Sequence, residues 1–408
     1  MKSTSGNHFY SLALLSTLFF MWGFITVLND ILIPHLKGLF ELNYTRTMLI
    51  QLCFFGAYFI TSIPAGNIIS KIGYKRGIVL GLSVTGFGAL LFFPASIIIS
   101  YNFFLVALFI LASGITILQV AANPFVAVLG PPETASSRLN FTQAINSLGT
   151  TLAPYFGSLL ILDVAGVNRS PAEEAASVQG PYVVIALVLG VIALLIAFSK
   201  LPTINDATME KYHDTKHFGK KSAWQYKHLM RGAVAIFLYV GAEVTIGSFM
   251  VNYLMEPNIG GLAEIDAGKY VSFYWGGAMV GRFIGAILLQ RMRPNAVLAT
   301  CSIISIALIL ISTNSSGPIA MYSIIAVGLF NSIMFANIFT MSMDGLGKFT
   351  GEGSGILCMA IVGGAVVPML TGVLADAAGL QTALMATVLC YGYIFYFGTN
   401  GYKRDRSA

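Results

Sequence analysis

Two acidic residues sit where a carboxylate is costly to keep. Asp30 falls late in one long apolar run, and Glu243 falls inside another in the opposite half of the chain. An ionisable group within hydrocarbon costs about 2.5–3.5 kcal/mol on insertion scales, so it needs either a partner or a task. A carboxyl group in a poorly hydrated cavity can hold a proton near neutral pH, and a carboxylate beside carbonyl and amide oxygens can ligate sodium. Either chemistry, at Asp30 or at Glu243, would couple a cation to a conformational cycle, and the residue types do not choose between H+ and Na+. The plainer readings are a helix-end residue at the outer interface for Asp30 and a hydrogen-bonded link between helices for Glu243. Arg282 also lies within an apolar run and Asp376 just beyond one. Snorkelling or pairing accounts for the first, an interfacial position for the second.

Amides form the second constellation. Gln119 and Asn123 stand four apart, on one face of a helix, and Gln143 and Asn146 stand three apart in the next apolar run. Asn29, Gln51, Asn252, Asn331 and Asn337 lie in other runs. An amide offers both donors and an acceptor, which suits a ring of hydroxyls that does the same. An anionic substrate would call for a buried basic residue, and Arg282 is the sole weak candidate, so the pattern points to a neutral polar small molecule. Asn and Gln also join membrane helices at roughly 0.6–2 kcal/mol per bond, and about half of this set is expected to do only that. Trp22, Phe141, Tyr274 and Trp275 have flat apolar faces that could stack on a sugar ring. The candidate binding set is therefore Gln119, Asn123, Gln143, Asn146, Asn29, Asn337 and Trp275.

No enzyme and no cofactor is expected. The chain has no phosphate-binding glycine loop, no metal-ligand spacing and no nucleophile–base pair, and its five histidines fall at run edges or in a polar linker. The four cysteines, Cys53, Cys301, Cys358 and Cys390, are far apart inside apolar runs and read as small buried apolar residues.

The elements that must hold these residues are membrane helices. Of 408 residues, 56% are hydrophobic and 10% charged, against about 25% charged in a soluble domain. The polar surface a soluble protein of this size would need is missing, and the mean hydropathy of +0.78 agrees. The runs are continuous, without the alternation of barrel strands. Runs long enough to cross a bilayer fall near 9–33, 47–69, 77–98, 102–128, 139–162 and 180–199, then near 229–254, 268–290, 295–313, 317–342, 353–375 and 379–399. The first run carries Trp22 and Asp30 and reads as a retained span, not a cleaved signal. The polar stretch between the sets holds Lys200, Lys211, Lys216, Lys220, Lys221 and Lys227. This gives an N-terminal six-helix half, 1–199, a cytoplasmic linker, 200–228, and a C-terminal six-helix half, 229–408. With both termini cytoplasmic, only Lys37, Arg46, Arg169, Lys269 and Arg282 of the 23 basic residues fall off the cytoplasmic side, as the positive-inside rule requires. The net charge of +6 is thus a topology signal, not a nucleic-acid footprint. A multi-pass protein of the inner (cytoplasmic) membrane, working in the lipid bilayer as a monomer, is expected.

An internal repeat supports the two halves. Gly66-Asn67-Ile68-Ile69-Ser70-Lys71-Ile72-Gly73-Tyr74-Lys75-Arg76 and Gly281-Arg282-Phe283-Ile284-Gly285 followed by Gln290-Arg291-Met292-Arg293 are both glycine-bearing helix ends running into basic turns. The first copy resembles the loop signature of the major facilitators, with Ser70 where an aspartate is usual. Leu28-Asn29-Asp30-Ile31-Leu32-Ile33-Pro34, Ala121-Ala122-Asn123-Pro124-Phe125-Val126, Arg138 through Ser147, Tyr239-Val240-Gly241-Ala242-Glu243 and Gly281-Arg282-Phe283 resemble the fucose–galactose–glucose:proton symporter family, a branch of the major facilitators, along essentially the whole chain. The resemblance implies an all-α membrane protein of the major facilitator fold, with twelve transmembrane helices in two pseudo-symmetric halves and a substrate bound near the midplane between them. It implies that Asp30 matches the family's first-span acid and that Gln143 and Asn146 match its sugar-contacting amides. Fucose symporters carry a glutamate where this chain has Gln119, whereas this chain has Glu243, a pattern that resembles the glucose/galactose branch, in which sodium-coupled members exist. The expected activity is import of a glucose- or galactose-type hexose by cation symport. The alternatives are an uncoupled facilitator, or an importer of fucose, mannose or N-acetylglucosamine.

Overall fold

The computed structural model describes residues 4–42, 44–157, 170–199, 201, 202, 204 and 220–404. Side chains 4–9, 28–35, 37, 38, 44–48, 154, 155, 171, 264 and 265 lie outside that description, as does most of the expected linker. Every regular element among the described residues is helical. In chain order the main helices are α1 (Thr4–Leu39), α2 (Tyr44–Ile72), α3 (Tyr74–Leu90, continued by Phe92–Ile98), α4 (Tyr101–Ala127), α5 (Ala135–Gly157) and α6 (Gln179–Phe198). They continue as α7 (Lys227–Met255), α8 (Glu264–Leu288), α9 (Pro294–Thr313), α10 in two pieces (Gly317–Asn331 and Met334–Met343), α11 in two pieces (Thr350–Met359 and Gly363–Ala378) and α12 (Leu380–Met385 and Thr387–Tyr396).

Eleven spans among the described residues are long and apolar enough to cross a membrane. The remaining expected span, 139–162, begins in α5 and runs past Gly157, outside the described residues. Helix is the only open-chain solution in hydrocarbon, because each backbone group finds its partner within its own segment. Two connections are reduced to a single glycine. Gly73 between α2 and α3 has φ 86°, and Gly379 between α11 and α12 has φ 83°, a backbone region essentially reserved for glycine. The sequence signature around Gly73 is therefore a demand of the turn. Elsewhere small residues let backbones touch, as membrane interfaces favour. A Cβ on Gly81 of α3 would lie 2.6 Å from the Leu118 amide nitrogen of α4.

Contacts divide the chain into two compact units. The first comprises Met1–Leu129, Ile145–Lys211 and Lys348–Met359, the second Gly130–Ala144, Tyr212–Gly347 and Ala360–Ala408. The first piece of α11 thus packs within the first unit, against α2 and α4, where a Cβ on Gly355 would lie 2.7 Å from the Ser62 carbonyl oxygen. The beginning of α5 packs within the second unit. There Ser137 Oγ donates to the Ala286 carbonyl at 2.5 Å, and the Ser136 and Thr340 hydroxyls lie 2.6 Å apart.

Candidate functional site

In the first unit the site is built around the inner part of α4, whose residues from Gly114 to Ala127 are all buried. Pro124 lies inside this helix and supplies no N–H, so the Val120 carbonyl loses its i+4 donor. Ser354 of α11 takes that place, its Oγ donating to the Val120 oxygen at 2.8 Å. The Ala-Ala-Asn-Pro run is therefore a helix interruption repaired from outside.

Gln119 and Asn123 flank this interruption. Gln119 Nε2 donates to the Tyr58 hydroxyl of α2 at 2.5 Å. Asn146 of α5 donates from Nδ2 to the Phe19 carbonyl of α1 at 2.7 Å. Gly23 makes room for it, since a Cβ there would lie 2.8 Å from Asn146 Nδ2. Phe19 and Trp22 hold their ring centroids 5.1 Å apart. Two of the expected amides are thus anchored on neighbouring helices, Gln119 on α2 and Asn146 on α1. Asn123 differs: it is 0% exposed, and neither its Oδ1 nor its Nδ2 has a protein partner among the described residues, while Gln119 Oε1 is likewise buried and unmatched. Buried polar groups normally find partners, so α4 offers one acceptor from Gln119 and an acceptor–donor pair from Asn123, a set complementary to adjacent hydroxyls. Asn29 and Asp30 belong to α1, but their side chains lie outside the described residues.

In the second unit Glu243 lies near the middle of α7 and is not alone. Tyr239, one turn earlier, donates its hydroxyl to Glu243 Oε1 at 2.7 Å. Arg282 Nη2 of α8 stands 3.6 Å from the same oxygen, the two side chains being 13% and 12% exposed. Arg282 Nε donates to the Ser332 carbonyl at 3.2 Å, in the gap between the two pieces of α10. A second chain of bonds reaches the same gap. The Tyr274 hydroxyl donates to the Glu243 carbonyl at 3.2 Å, Asn331 Nδ2 donates to the Tyr274 oxygen at 2.8 Å, and Tyr391 of α12 donates to Asn331 Oδ1 at 2.5 Å. Pairing, one of the two expectations for Arg282, is what the structure displays.

The other expected residues are dispersed. Asn337 is fully buried, accepting from Asn140 Nδ2 at 3.1 Å and donating to the Pro294 carbonyl at 3.4 Å. Gln143, on α5 with Asn140, is 6% exposed. Trp275 is 39% exposed and meets Tyr274 edge-on, with centroids 5.1 Å apart. Sequence reasoning passes over Tyr58, Tyr391, Asn140 and Ser354. Nothing distinguishes Tyr58 and Tyr391 among 18 tyrosines, whereas Tyr239 at i−4 from Glu243 was legible as a same-face neighbour.

Comparison with known proteins accords with this architecture. The Major Facilitator Superfamily profile matches residues 12–360. The chain is 53% identical over 401 residues to the glucose/galactose transporter of Brucella abortus biovar 1 (strain 9-941), covering 98% of this chain and 96% of the relative. It is 37% identical over 414 residues to the L-fucose-proton symporter of Escherichia coli (strain K12), covering 96% and 93%. Among solved structures, the transporter FucP in its outward conformation matches with a TM-score of 0.86 at 35% identity, over 96% of this chain and 98% of that one. With both the sequence and the helical fold shared along almost the full chain, this protein belongs to the Major Facilitator Superfamily of membrane transporters.

Proposed function

We propose that the protein is a secondary active transporter that imports a neutral hexose of the glucose/galactose type together with a proton, by alternating access between the half 1–199 and the half 229–408. The observation that carries this reading is the buried, unmatched hydrogen-bonding capacity of Gln119 and Asn123 on α4, which fits hydroxyls. The names of the relatives support it, a glucose/galactose transporter at 53% identity and a fucose–proton symporter at 37%. The proposed sugar contacts are Gln119, Asn123, Gln143, Asn146 and Asn29, with Trp275 offering a ring face and Asn337 holding α5 against α10. Asp30 and Glu243 are the proposed coupling acids, with H+ preferred over Na+ because one named relative is an L-fucose-proton symporter. The chain would sit in the cytoplasmic membrane as a monomer, both termini cytoplasmic and the 200–228 linker on the same side.

One monovalent cation moving through about 100 mV supplies roughly 2.3 kcal/mol, enough at about 1.4 kcal/mol per tenfold for roughly 40-fold accumulation. Radiolabelled glucose and galactose uptake into proteoliposomes, with proton and sodium gradients imposed separately, tests the proposal on the native chain, Asp30→Asn and Glu243→Gln. Uphill uptake driven by a proton gradient is expected for the native chain and lost in both variants, each retaining sugar counterflow. Uphill uptake by both variants would remove the coupling assignment, and sodium-only uptake would change the ion.

A further inference from the structure

We propose that Tyr58 is a positioning residue that sets the polarity of the sugar site: by taking an amide N–H of Gln119 it leaves that side chain only its oxygen to offer, so the site demands a hydroxyl that donates at Gln119. The proposal rests on the reading of Gln119 and Asn123 as sugar contacts and deepens it to a rule of substrate chemistry.

A glutamine is ambiguous by nature. Its amide has an accepting end and a donating end of almost the same shape, and its terminal torsion has a broad, two-fold preference. Here one end is committed. Gln119 Nε2 on α4 donates to the Tyr58 oxygen on α2 at 2.5 Å, and both side chains are buried, out of reach of bulk water that could replace either partner. The atom left over is Oε1, buried and unmatched among the described residues, and a carbonyl oxygen can only accept. The opposite placement of the amide would turn its NH2 toward the site and call for an acceptor instead.

Tyr58 is held on α2 by contacts other than its hydroxyl. Its ring meets that of Phe54, one turn earlier, with centroids 5.7 Å apart. Thr61 Oγ1 of α2 donates to Ser113 Oγ of α4 at 3.1 Å, a second tie between the same two helices. The Tyr58 hydroxyl is therefore not what keeps α2 against α4, and its removal addresses the amide more than the packing.

Asn123, one turn further along α4, is the contrast. Both its acceptor and its donor are buried and unmatched among the described residues, so it can serve a hydroxyl in either sense. Gln119 cannot. An ether oxygen, a carbonyl or a fluorine placed at Gln119 sets acceptor against acceptor in a buried site and leaves both without a hydrogen. The substrate class narrows to sugars that keep one particular hydroxyl unmodified.

The test is equilibrium binding to the purified full-length protein of glucose, galactose and their analogues in which a single hydroxyl is replaced by fluorine, which cannot donate. It uses the native chain, Tyr58→Phe and Gln119→Ala. In the native chain fluorine at one ring position is expected to weaken binding by about tenfold or more. Tyr58→Phe keeps the ring but removes the acceptor, so the amide is no longer fixed and can turn its NH2 to the sugar. The fluorine penalty at that position is then expected to fall to about threefold or less, with the parent sugar bound about two- to tenfold more weakly. Gln119→Ala removes the oxygen and is expected to lose the penalty at the same position. If Tyr58 were merely structural, Tyr58→Phe would weaken every analogue by one common factor and keep the penalty; that result overturns the proposal. So does a native protein for which fluorine costs less than about threefold at every position, an outcome that needs no variant to fold. The sugar-contact reading beneath fails separately, by Gln119→Ala binding the parent sugar with native affinity.

Discussion

Asn123 and Asn331 look alike in the sequence, each an asparagine inside an apolar run, but the structure gives them opposite consequences on replacement by leucine. Asn331 accepts from Tyr391 and donates to Tyr274. Removing it orphans the buried Tyr391 hydroxyl, at about 1–3 kcal/mol, and loses a second bond worth about 0.5–1.5 kcal/mol. Asn123 has no protein partner to orphan. Both residues are 0% exposed, so the overpacking from the larger leucine is common to both variants and cancels in the comparison. Asn331→Leu is therefore expected to be less stable than Asn123→Leu by about 2–4 kcal/mol, read as a lower melting temperature in detergent. Sugar affinity discriminates in the other direction. If Asn123 makes two hydrogen bonds to a bound hexose, their loss costs about 1–3 kcal/mol, or roughly 5- to 150-fold in Kd, measured by equilibrium binding of radiolabelled sugar to the purified protein. An Asn123→Leu protein that binds sugar with native affinity, or that melts as low as Asn331→Leu, would refute the argument that unmatched amide groups on α4 await a ligand.

Two further outcomes test how the scaffold is held. Ser354→Ala leaves the Val120 carbonyl beside Pro124 unsatisfied and is expected to cost about 1–3 kcal/mol; adding Pro124→Ala, which restores a backbone N–H, should recover most of that melting temperature in a double-mutant cycle. By contrast, Asp344→Asn breaks the half-exposed pair with Arg404 and is expected to change stability by less than about 1 kcal/mol, with the small effect shrinking further at high salt.

The spans were legible because length and apolarity are properties of contiguous residues, and eleven of the expected runs are helices long and apolar enough to cross a membrane among the described residues. The helix α5, which holds the least apolar of the runs, carries Ser136, Ser137, Asn140, Gln143 and Asn146, all buried. Its polarity and its candidacy for binding are one signal, since side chains that bond to α1, α8 and α10 cannot also be oily. Partners were another matter. That an arginine in a span needs a counter-ion follows from desolvation cost, but that Arg282 meets Glu243 depends on how α8 rotates, and Gly281 sets that by admitting α10. Likewise the amide pattern named Gln119, Asn123, Asn331 and Asn337 together. Only the packing separates Asn331 and Asn337, which have partners, from Asn123 and the Gln119 oxygen, whose groups are unmatched, because a hydrogen bond across helices leaves no mark on either sequence segment.

The two irregular stretches that matter most obey one rule. Pro124 frees the Val120 carbonyl, and a hydroxyl from α11 reaches it; α10 parts at Ser332, and a guanidinium from α8 reaches its carbonyl. In hydrocarbon a bare backbone carbonyl costs several kcal/mol, so each irregularity persists only while its visitor stays or water replaces it. Both visitors sit next to the candidate chemistry, Ser354 one turn from Asn123 through Val120, and Arg282 on Glu243. Any motion that withdraws the first piece of α11 from α4, or α8 from α10, must therefore admit water at those carbonyls. Entry of solvent to the polar residues and movement of the helices are then a single event, which is the coupling a transporter needs between binding and access.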